Sequence, residues 1–276
     1  METIVEFKNV SYTRNDKEIL KDINFCVSKG DKIIILGENG SGKTTLLNMI
    51  AGDIKPNYGT AKRLINSSDI GVVYDKFIIL PMLKVNEVLH LFCAIYSIDY
   101  NEIIQIYYDI FKLSVIENSY LYSLSMGERR RVSIMLALIY RPLFLIMDEP
   151  FSNVDPTIID SLWSFIDERA KTIIYTSHNW SLSSIRDSSI YMMYSGSLKK
   201  SKYTIEELKI NVKSDYKVIC NKVEYDPKDL YFMYYVKDND LNILGDIGVI
   251  IKMIGKIIYR IEEINIKDLY YINYKY

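Results

Sequence analysis

The sequence of 276 residues predicts an α/β fold: a mixed, mainly parallel core sheet with an N-terminal antiparallel β subdomain, a helical insertion and a small α+β C-terminal appendage. Three observations carry this expectation. A glycine-rich loop lies between a short apolar run and a helical pattern. Two further apolar runs, 144–147 and 172–176, end in polar residues, as strands of a buried parallel sheet do. Finally, Glu2 to Val10 and Ile19 to Val27 alternate like antiparallel strands around the polar turn Arg14-Asn15-Asp16-Lys17.

The glycine-rich loop organises the rest. Lys32 to Leu36 reads as a buried strand, Gly37 to Thr45 as the loop, and Leu46 to Ala51 as the helix body. Gly37, Gly42, Lys43 and Thr44 satisfy G-x-x-x-x-G-K-[ST] in the strand–loop–helix setting that pattern requires. Backbone amides around Asn39, Gly40, Ser41 and Gly42 wrap a polyphosphate, helped by the partial positive charge of the helix start. Lys43 neutralises the β- and γ-phosphates, the Thr44 hydroxyl ligates Mg²⁺, and Thr45 completes the loop. A glycine turn leading into a helix is the plain alternative, but a chance match is on the order of one per cent at ordinary glycine usage. The chain is therefore expected to be a P-loop nucleotide-binding protein.

Composition bounds the function. Hydrophobic residues make up 49% of the chain, ample for a core, and the net charge of −1 offers no basic field for nucleic acid or anionic lipid. Cys26, Cys93 and Cys220 are far apart and form no zinc or disulfide pattern, so they read as small buried hydrophobes. The opening residues lack a signal peptide's apolar core, and no apolar run reaches membrane-span length; the longest, Ile247 to Ile258, is broken by Lys252 and Lys256. The expectation is a chain that is soluble or peripheral. Its length suits one large domain with an appendage, divided at 1–212 and 213–276.

Along the chain, Tyr12 reads either as one of 24 tyrosines half-buried in a strand or as a ring stacked on adenine. Residues 52–59 are turn chemistry, Ile70 to Tyr74 a strand, and two amphipathic helices follow around 88–96 and 103–113, within an insertion of about 77–140. His90 in the first of them receives no role. Ser125-Met126-Gly127-Glu128 opens a helix running to about Tyr140. Its Ser-x-x-Glu is a capping box, and the same exposed helix start can also be aimed at a phosphate. Arg129-Arg130-Arg131 reads as a solvated or ion-paired face. After the strand 144–147, Asp148 is placed to hold Mg²⁺ opposite Thr44, and Glu149 to polarise the water that attacks the γ-phosphate. A helix starts at Asp155 or Thr157, with Ile158, Ile159, Leu162, Trp163, Phe165 and Ile166 on its apolar side. The strand 172–176 ends in Ser177-His178-Asn179, where His178 can donate to the γ-phosphate. Beyond Ser197, helices are expected over 204–210, 247–257 and 266–274, and strands over 216–223, 230–236 and 259–266.

Taken in order, the glycine loop, Leu124-Ser125-Met126-Gly127-Glu128, Leu145 to Pro150, Ser152-Asn153-Val154-Asp155 and Thr176-Ser177-His178 resemble the ATP-binding subunits of ABC transporters over residues 1–212. The spacings from Lys43 to Ser125 and from Ser125 to Asp148 are similar to the family's. More loosely, the appendage looks like that of bacterial exporters whose ATPase and membrane subunits are separate chains. The resemblance implies a P-loop NTPase of ABC type that hydrolyses ATP with Mg²⁺ and closes head to tail with a second ATPase subunit, homodimeric by default. It implies that Tyr12 stacks on adenine, that Ser125, Gly127 and Glu128 face the partner's ATP, and that Asp155 lies at the dimer seam. Separate transmembrane permease subunits are implied as partners, with the chain peripheral on the inner face of the cell membrane. Two departures stand out: Met126 and Glu128 replace a glycine and a glutamine of the usual signature, and Asp75 stands where the family has a glutamine that contacts Mg²⁺. An ABC-type ATPase with soluble partners and a low-turnover regulatory module are the rival readings.

Overall fold

The computed structural model describes residues 2–75, 82–178, 188–202, 216–221, 233–237, 240–244, 250 and 258–263. It contains two compact units, Met1–Ile33 with Gly42–Ser177 and Ile34–Ser41 with His178–Tyr276.

The chain opens with β1 (Thr3–Arg14) and β2 (Lys17–Ser28), antiparallel and longer than the alternation suggests, because pairing continues to Arg14↔Lys17. Asn15 and Asp16 between them take φ of 51° and 59°, which a two-residue hairpin turn of this hand requires. Cys26 lies on the exposed face of β2, against the expectation of burial, whereas Cys93 is buried. The next strand, β3 (Lys32–Gly37), is buried from Ile33 onward. It is followed by α1 (Lys43–Ala51), which stops where Gly52, at φ 92°, turns its amide back to the carbonyls of Asn48 and Met49. β4 (Tyr58–Arg63) is exposed or half-exposed throughout and shows no alternation; pairing with β1, as in Phe7↔Ala61, is what makes it a strand.

After β5 (Ile70–Val73) come the helices of the insertion, α2 (Val85–Tyr96), α3 (Tyr100–Tyr107) and α4 (Leu113–Ile116). The single helix expected over 103–113 is corrected: α3 ends at Tyr107 and the chain turns through Lys112 at φ 50°. This turn buries Phe111, which meets Tyr107 and Phe165 edge-on at 5.3 and 5.5 Å between ring centroids. The Arg169 guanidinium sits 4.5 Å from the Phe165 ring centroid, so a cation faces the negative side of the cluster.

α5 (Met126–Leu138) starts on a reciprocal cap: the Glu128 amide donates to Ser125 Oγ at 3.3 Å and the Ser125 amide to Glu128 Oε2 at 2.8 Å. The bonds to Ser125 hold the Glu128 carboxyl below its ordinary value of 4.5. β6 (Phe144–Met147) is wholly buried; α6 (Pro156–Arg169) starts on the Asp155 side chain, which accepts the Thr157 amide, with proline at its first position. β7 (Thr172–Ser177), β8 (Ser189–Tyr194) and β9 (Ser197–Lys200) complete the core strands. Four more follow: β10 (Tyr216–Asn221), β11 (Met233–Lys237), β12 (Asp240–Leu244) and β13 (Ile258–Glu263). β12 has no counterpart in the sequence expectation, and the helices expected at 204–210, 247–257 and 266–274 lie outside the described residues save Ile250.

Three sheets result. One is three-stranded and antiparallel, β2-β1-β4; one has the order β5-β6-β7-β3-β8-β9; the last is four-stranded, β11-β12-β10-β13. In the six-stranded sheet β5, β6 and β7 run parallel, whereas β8 and β9 form an antiparallel hairpin. Among the described residues, no helix is long and apolar enough to cross a membrane.

Two outcomes test this account of the fold. Phe111→Ala is expected to cost about 3–5 kcal/mol in urea unfolding, because it empties the ring cluster joining the insertion to α6. Glu128→Ala is expected to cost about 1 kcal/mol at pH 7. A carboxyl lowered on folding stabilises above its unfolded value and loses that contribution as pH falls through the folded one. The deficits of Glu128→Ala and Glu128→Gln against wild type should therefore both shrink as pH drops below 4.5, because both variants lack the carboxyl that titrates; glutamine, which can still accept the Ser125 amide, should show the smaller deficit throughout.

Candidate nucleotide-binding site

Asp148 leaves β6 with its amide still donating to the Val73 carbonyl at 2.8 Å, so strand pairing persists one residue past Met147. Its carboxylate is 4% exposed, and both oxygens are engaged. Oδ2 accepts the Thr44 hydroxyl at 2.6 Å and Oδ1 accepts the Thr176 hydroxyl at 2.6 Å. The Thr176 oxygen in turn accepts the Glu149 amide at 3.0 Å. Thr44 belongs to the first turn of α1 and Thr176 to the end of β7, so three distant stretches of chain meet on one carboxylate.

Glu149 takes φ of 50°, a sparse region for a side chain of this kind, and its carbonyl accepts the Ser152 amide at 3.2 Å and hydroxyl at 3.0 Å. Lys43, its side chain 6% exposed, brings Nζ to 3.6 Å from Glu149 Oε1, inside ion-pair range and beyond a good hydrogen bond. Thr44 and Asp148 together offer a hydroxyl and a carboxylate. Such a hard-oxygen pair fits Mg²⁺, an ion that keeps most of its shell for phosphate and water. No cluster of three or more His, Cys, Asp or Glu that could hold a metal by itself occurs among the described residues.

The loop that leads to α1 is built locally. Ser41 donates its amide to the Glu38 carbonyl at 3.2 Å, and its own carbonyl accepts the Gly196 amide at 3.1 Å. Gly40 takes φ of 80°, with Asn39 and Gly40 exposed. Gly42, at φ 111°, stands at the N-cap of α1 with no side chain over the first-turn amides, where Lys43, Thr44 and Thr45 begin the helix. A carboxylate or hydroxyl at this cap would occupy the donors that bind an anion; glycine leaves them open.

The start of α5 presses on a neighbouring loop. A Cβ on Gly127 would stand 2.3 Å from the Asn153 carbonyl oxygen, so glycine here serves close backbone approach. Ser125 is exposed and Met126 is 70% exposed beside it. Asp155 is exposed too, its carboxyl held below the usual range by the amide and hydroxyl of Thr157.

The structure thus brings Lys43, Thr44, Asp148 and Glu149 together. Tyr12 lies half-exposed in β1 opposite Leu20, in the three-stranded sheet. His178 follows β7 and is exposed. Asp75, expected on the metal side, has Oδ1 at 3.0 Å from Arg130 Nη2. His90 stacks on Tyr100, with 3.4 Å between centroids.

Two residues of this neighbourhood escape sequence reasoning. Thr176 was within reach, as a hydroxyl two positions before a histidine at a strand end. Arg130 was hidden in a basic run read as a solvated or ion-paired face; it is ion-paired, with Asp75, but it is 8% exposed and so not solvated. All three arginines donate to backbone carbonyls: Arg129 to Tyr122, Arg130 to Tyr74 and Asp148, Arg131 to Phe111.

Comparison with known proteins gives the family. The sequence model of the family described as ABC transporter matches residues 20–152. The chain is similar to the lipoprotein-releasing system ATP-binding protein LolD of Treponema denticola, 32% identical over 204 residues, covering 66% of this chain and 89% of that protein. It is also similar to the taurine import ATP-binding protein TauB of Shigella dysenteriae serotype 1, 32% identical over 178 residues, covering 59% and 69%. Its fold is that of an ATP-binding cassette solved as a dimer in a post-hydrolysis state with ADP and Pi: TM-score 0.61, 24% identity, 71% of this chain and 98% of that one. The chain belongs to the ATP-binding proteins of ABC transporters, a family of ATPases.

Proposed function

We propose that this chain is the ATP-hydrolysing subunit of a bacterial ABC exporter, pairing with a second copy of itself and driving separate membrane-spanning permease subunits from the inner face of the cell membrane. The observation that carries the ATPase assignment is the chain of hydrogen bonds Thr44–Asp148–Thr176–Glu149, with the Lys43 ammonium beside it. In this reading the amides of Asn39, Gly40, Ser41 and Gly42 and the start of α1 bind the phosphates, Lys43 neutralises them, and Thr45 lies within the same turn. Thr44 and Asp148 hold Mg²⁺, which when bound neutralises charge on the transferring phosphoryl group. Glu149 accepts a proton from the attacking water, and His178 contacts the γ-phosphate. Tyr12 stacks on adenine; Ser125, Gly127 and Glu128 meet the ATP of the partner copy, with Asp155 at the seam.

The electrostatics support this assignment of roles. Lys43 lies near Glu149 and is positioned to exchange that carboxylate for phosphate oxygens, while Glu149 keeps its backbone held by Thr176 and Ser152. The exporter direction rests on the segment 213–276, in this proposal a small α+β domain, and on likeness to the lipoprotein-releasing protein. The taurine import relative makes direction the part to test, by copurifying the tagged chain from membranes and assaying cargo movement in vesicles with the permease found.

Two variants test the chemistry. Lys43→Ala is expected to weaken ATP binding roughly 10- to 100-fold, the worth of a charge-assisted contact; unchanged affinity by titration of a fluorescent ATP analogue would remove the phosphate-loop assignment. Glu149→Gln is expected to lower turnover by about 10²–10⁴ while retaining ATP. With saturating ATP and Mg²⁺ it should elute from gel filtration as a dimer, and hydrolysis at the wild-type rate would rule out Glu149 as the base.

A further inference from the structure

The departure at Asp75 has a physical partner, and the pair sits against the backbone of the proposed base. Arg130 Nη1 donates to the Tyr74 carbonyl at 2.8 Å and the Asp148 carbonyl at 3.1 Å. Nη2 faces the Asp75 carbonyl at 3.3 Å, Asp75 Oδ1 at 3.0 Å and Ser152 Oγ at 3.3 Å. The two terminal nitrogens carry four N–H groups in a fixed plane, so Nη1 serves its two acceptors singly and one N–H of Nη2 is shared between two of three; an ammonium, with three donors on one atom, cannot span the same set. The guanidinium therefore bridges the exits of the neighbouring parallel strands β5 and β6 and the loop after Glu149.

Glu149 needs such support. Its left-handed φ of 50° persists only where surrounding bonds over-determine it. Arg130 reaches that residue from both sides: it holds the carbonyl of Asp148, which forms the peptide bond entering Glu149, and it donates to the Ser152 hydroxyl, which donates to the Glu149 carbonyl. Thr176 fixes the amide of that same peptide bond. Among the described residues, Asp75 is the one carboxylate in ion-pair range of Arg130; it is 52% exposed against 8% for the arginine. Arg130 is thus the buried, many-bonded member, and Asp75 its charge partner at the solvent edge.

We infer that Arg130 is a positioning residue for Glu149, and that Asp75 acts in ATP hydrolysis by orienting the Arg130 fork and not by ligating the metal. This inference rests on the proposed ATPase role of Glu149. In it, the glutamine-to-aspartate departure is matched by a buried cation on α5 that ties the strand exit after β5 to the geometry of the base.

The test is a double-mutant cycle on the full chain with Asp75→Asn, Arg130→Lys and the pair, reading kcat, KM for ATP, the Mg²⁺ concentration for half-maximal rate, affinity for a fluorescent ATP analogue, and Tm. Arg130→Lys keeps the charge and loses the fork. It is expected to lower kcat on the order of 10- to 100-fold, the scale of a small misplacement of a reacting group, with ATP affinity little changed. Asp75→Asn, on a half-exposed carboxylate, is expected to lower kcat roughly two- to fivefold at an unchanged Mg²⁺ requirement. In the double variant Asp75→Asn should add nothing. The inference is overturned by a several-fold higher Mg²⁺ requirement in Asp75→Asn, by wild-type kcat in a folded Arg130→Lys, or by effects that multiply in the double variant. Should Arg130→Lys lose its thermal transition, Asp75→Asn carries the decision through the Mg²⁺ requirement and kcat. Wild-type chain whose turnover is indifferent to Glu149→Gln would overturn the ATPase reading and this inference together; normal dependence on Glu149 with indifference to Arg130 would overturn this inference alone.

Discussion

One buried carboxylate ties the candidate site together. Asp148 is nearly sealed from solvent, and a charge in that position is tolerable only if its lone pairs are met by donors. Thr44 and Thr176 meet them from opposite sides, each at 2.6 Å. The start of α1, the exit of β6 and the end of β7 are thereby brought to one point, and a local shift in any of them would leave a polar group unsatisfied. The same threonine that holds Asp148 also receives the Glu149 amide, so two adjacent acidic residues share a single support.

The departures from the usual family pattern have local physical accounts. Glu128 completes a reciprocal cap with Ser125, a task that glutamine can also perform but without the charge that favours a helix start. Met126 is 70% exposed, so the bulk it adds over glycine lies largely outside the packed interior. Gly127 is retained where backbone crowds it, against the Asn153 carbonyl. Asp75 faces Arg130. Each substitution is read better through its immediate neighbours than through the pattern it breaks.

Much of the fold was legible because it follows local rules. The Arg14–Lys17 turn, the caps at Ser125 and Asp155, the apolar strand 144–147 and the glycine that ends α1 are all encoded within a few residues of where they act. The misses share a cause as well. β4 lacks alternation and exists through pairing with β1; β12 is a strand by virtue of its pairing with β10 and β11. α3 stops early because Phe111 is drawn into a ring cluster with Phe165 of α6, far along the chain and beyond the range of any helical period.

The amino-acid order by itself determined the phosphate loop, the acidic strand tip, the capping residues and the family resemblance, since each depends on residue types at fixed short spacing. Only the tertiary structure decided that Arg130 is buried and not solvated, that Asp75 is its partner, and that Thr176 links Asp148 to Glu149. Those facts depend on which strand exits lie side by side, and a hydrogen bond between residues tens of positions apart leaves no periodic trace in the chain that makes it.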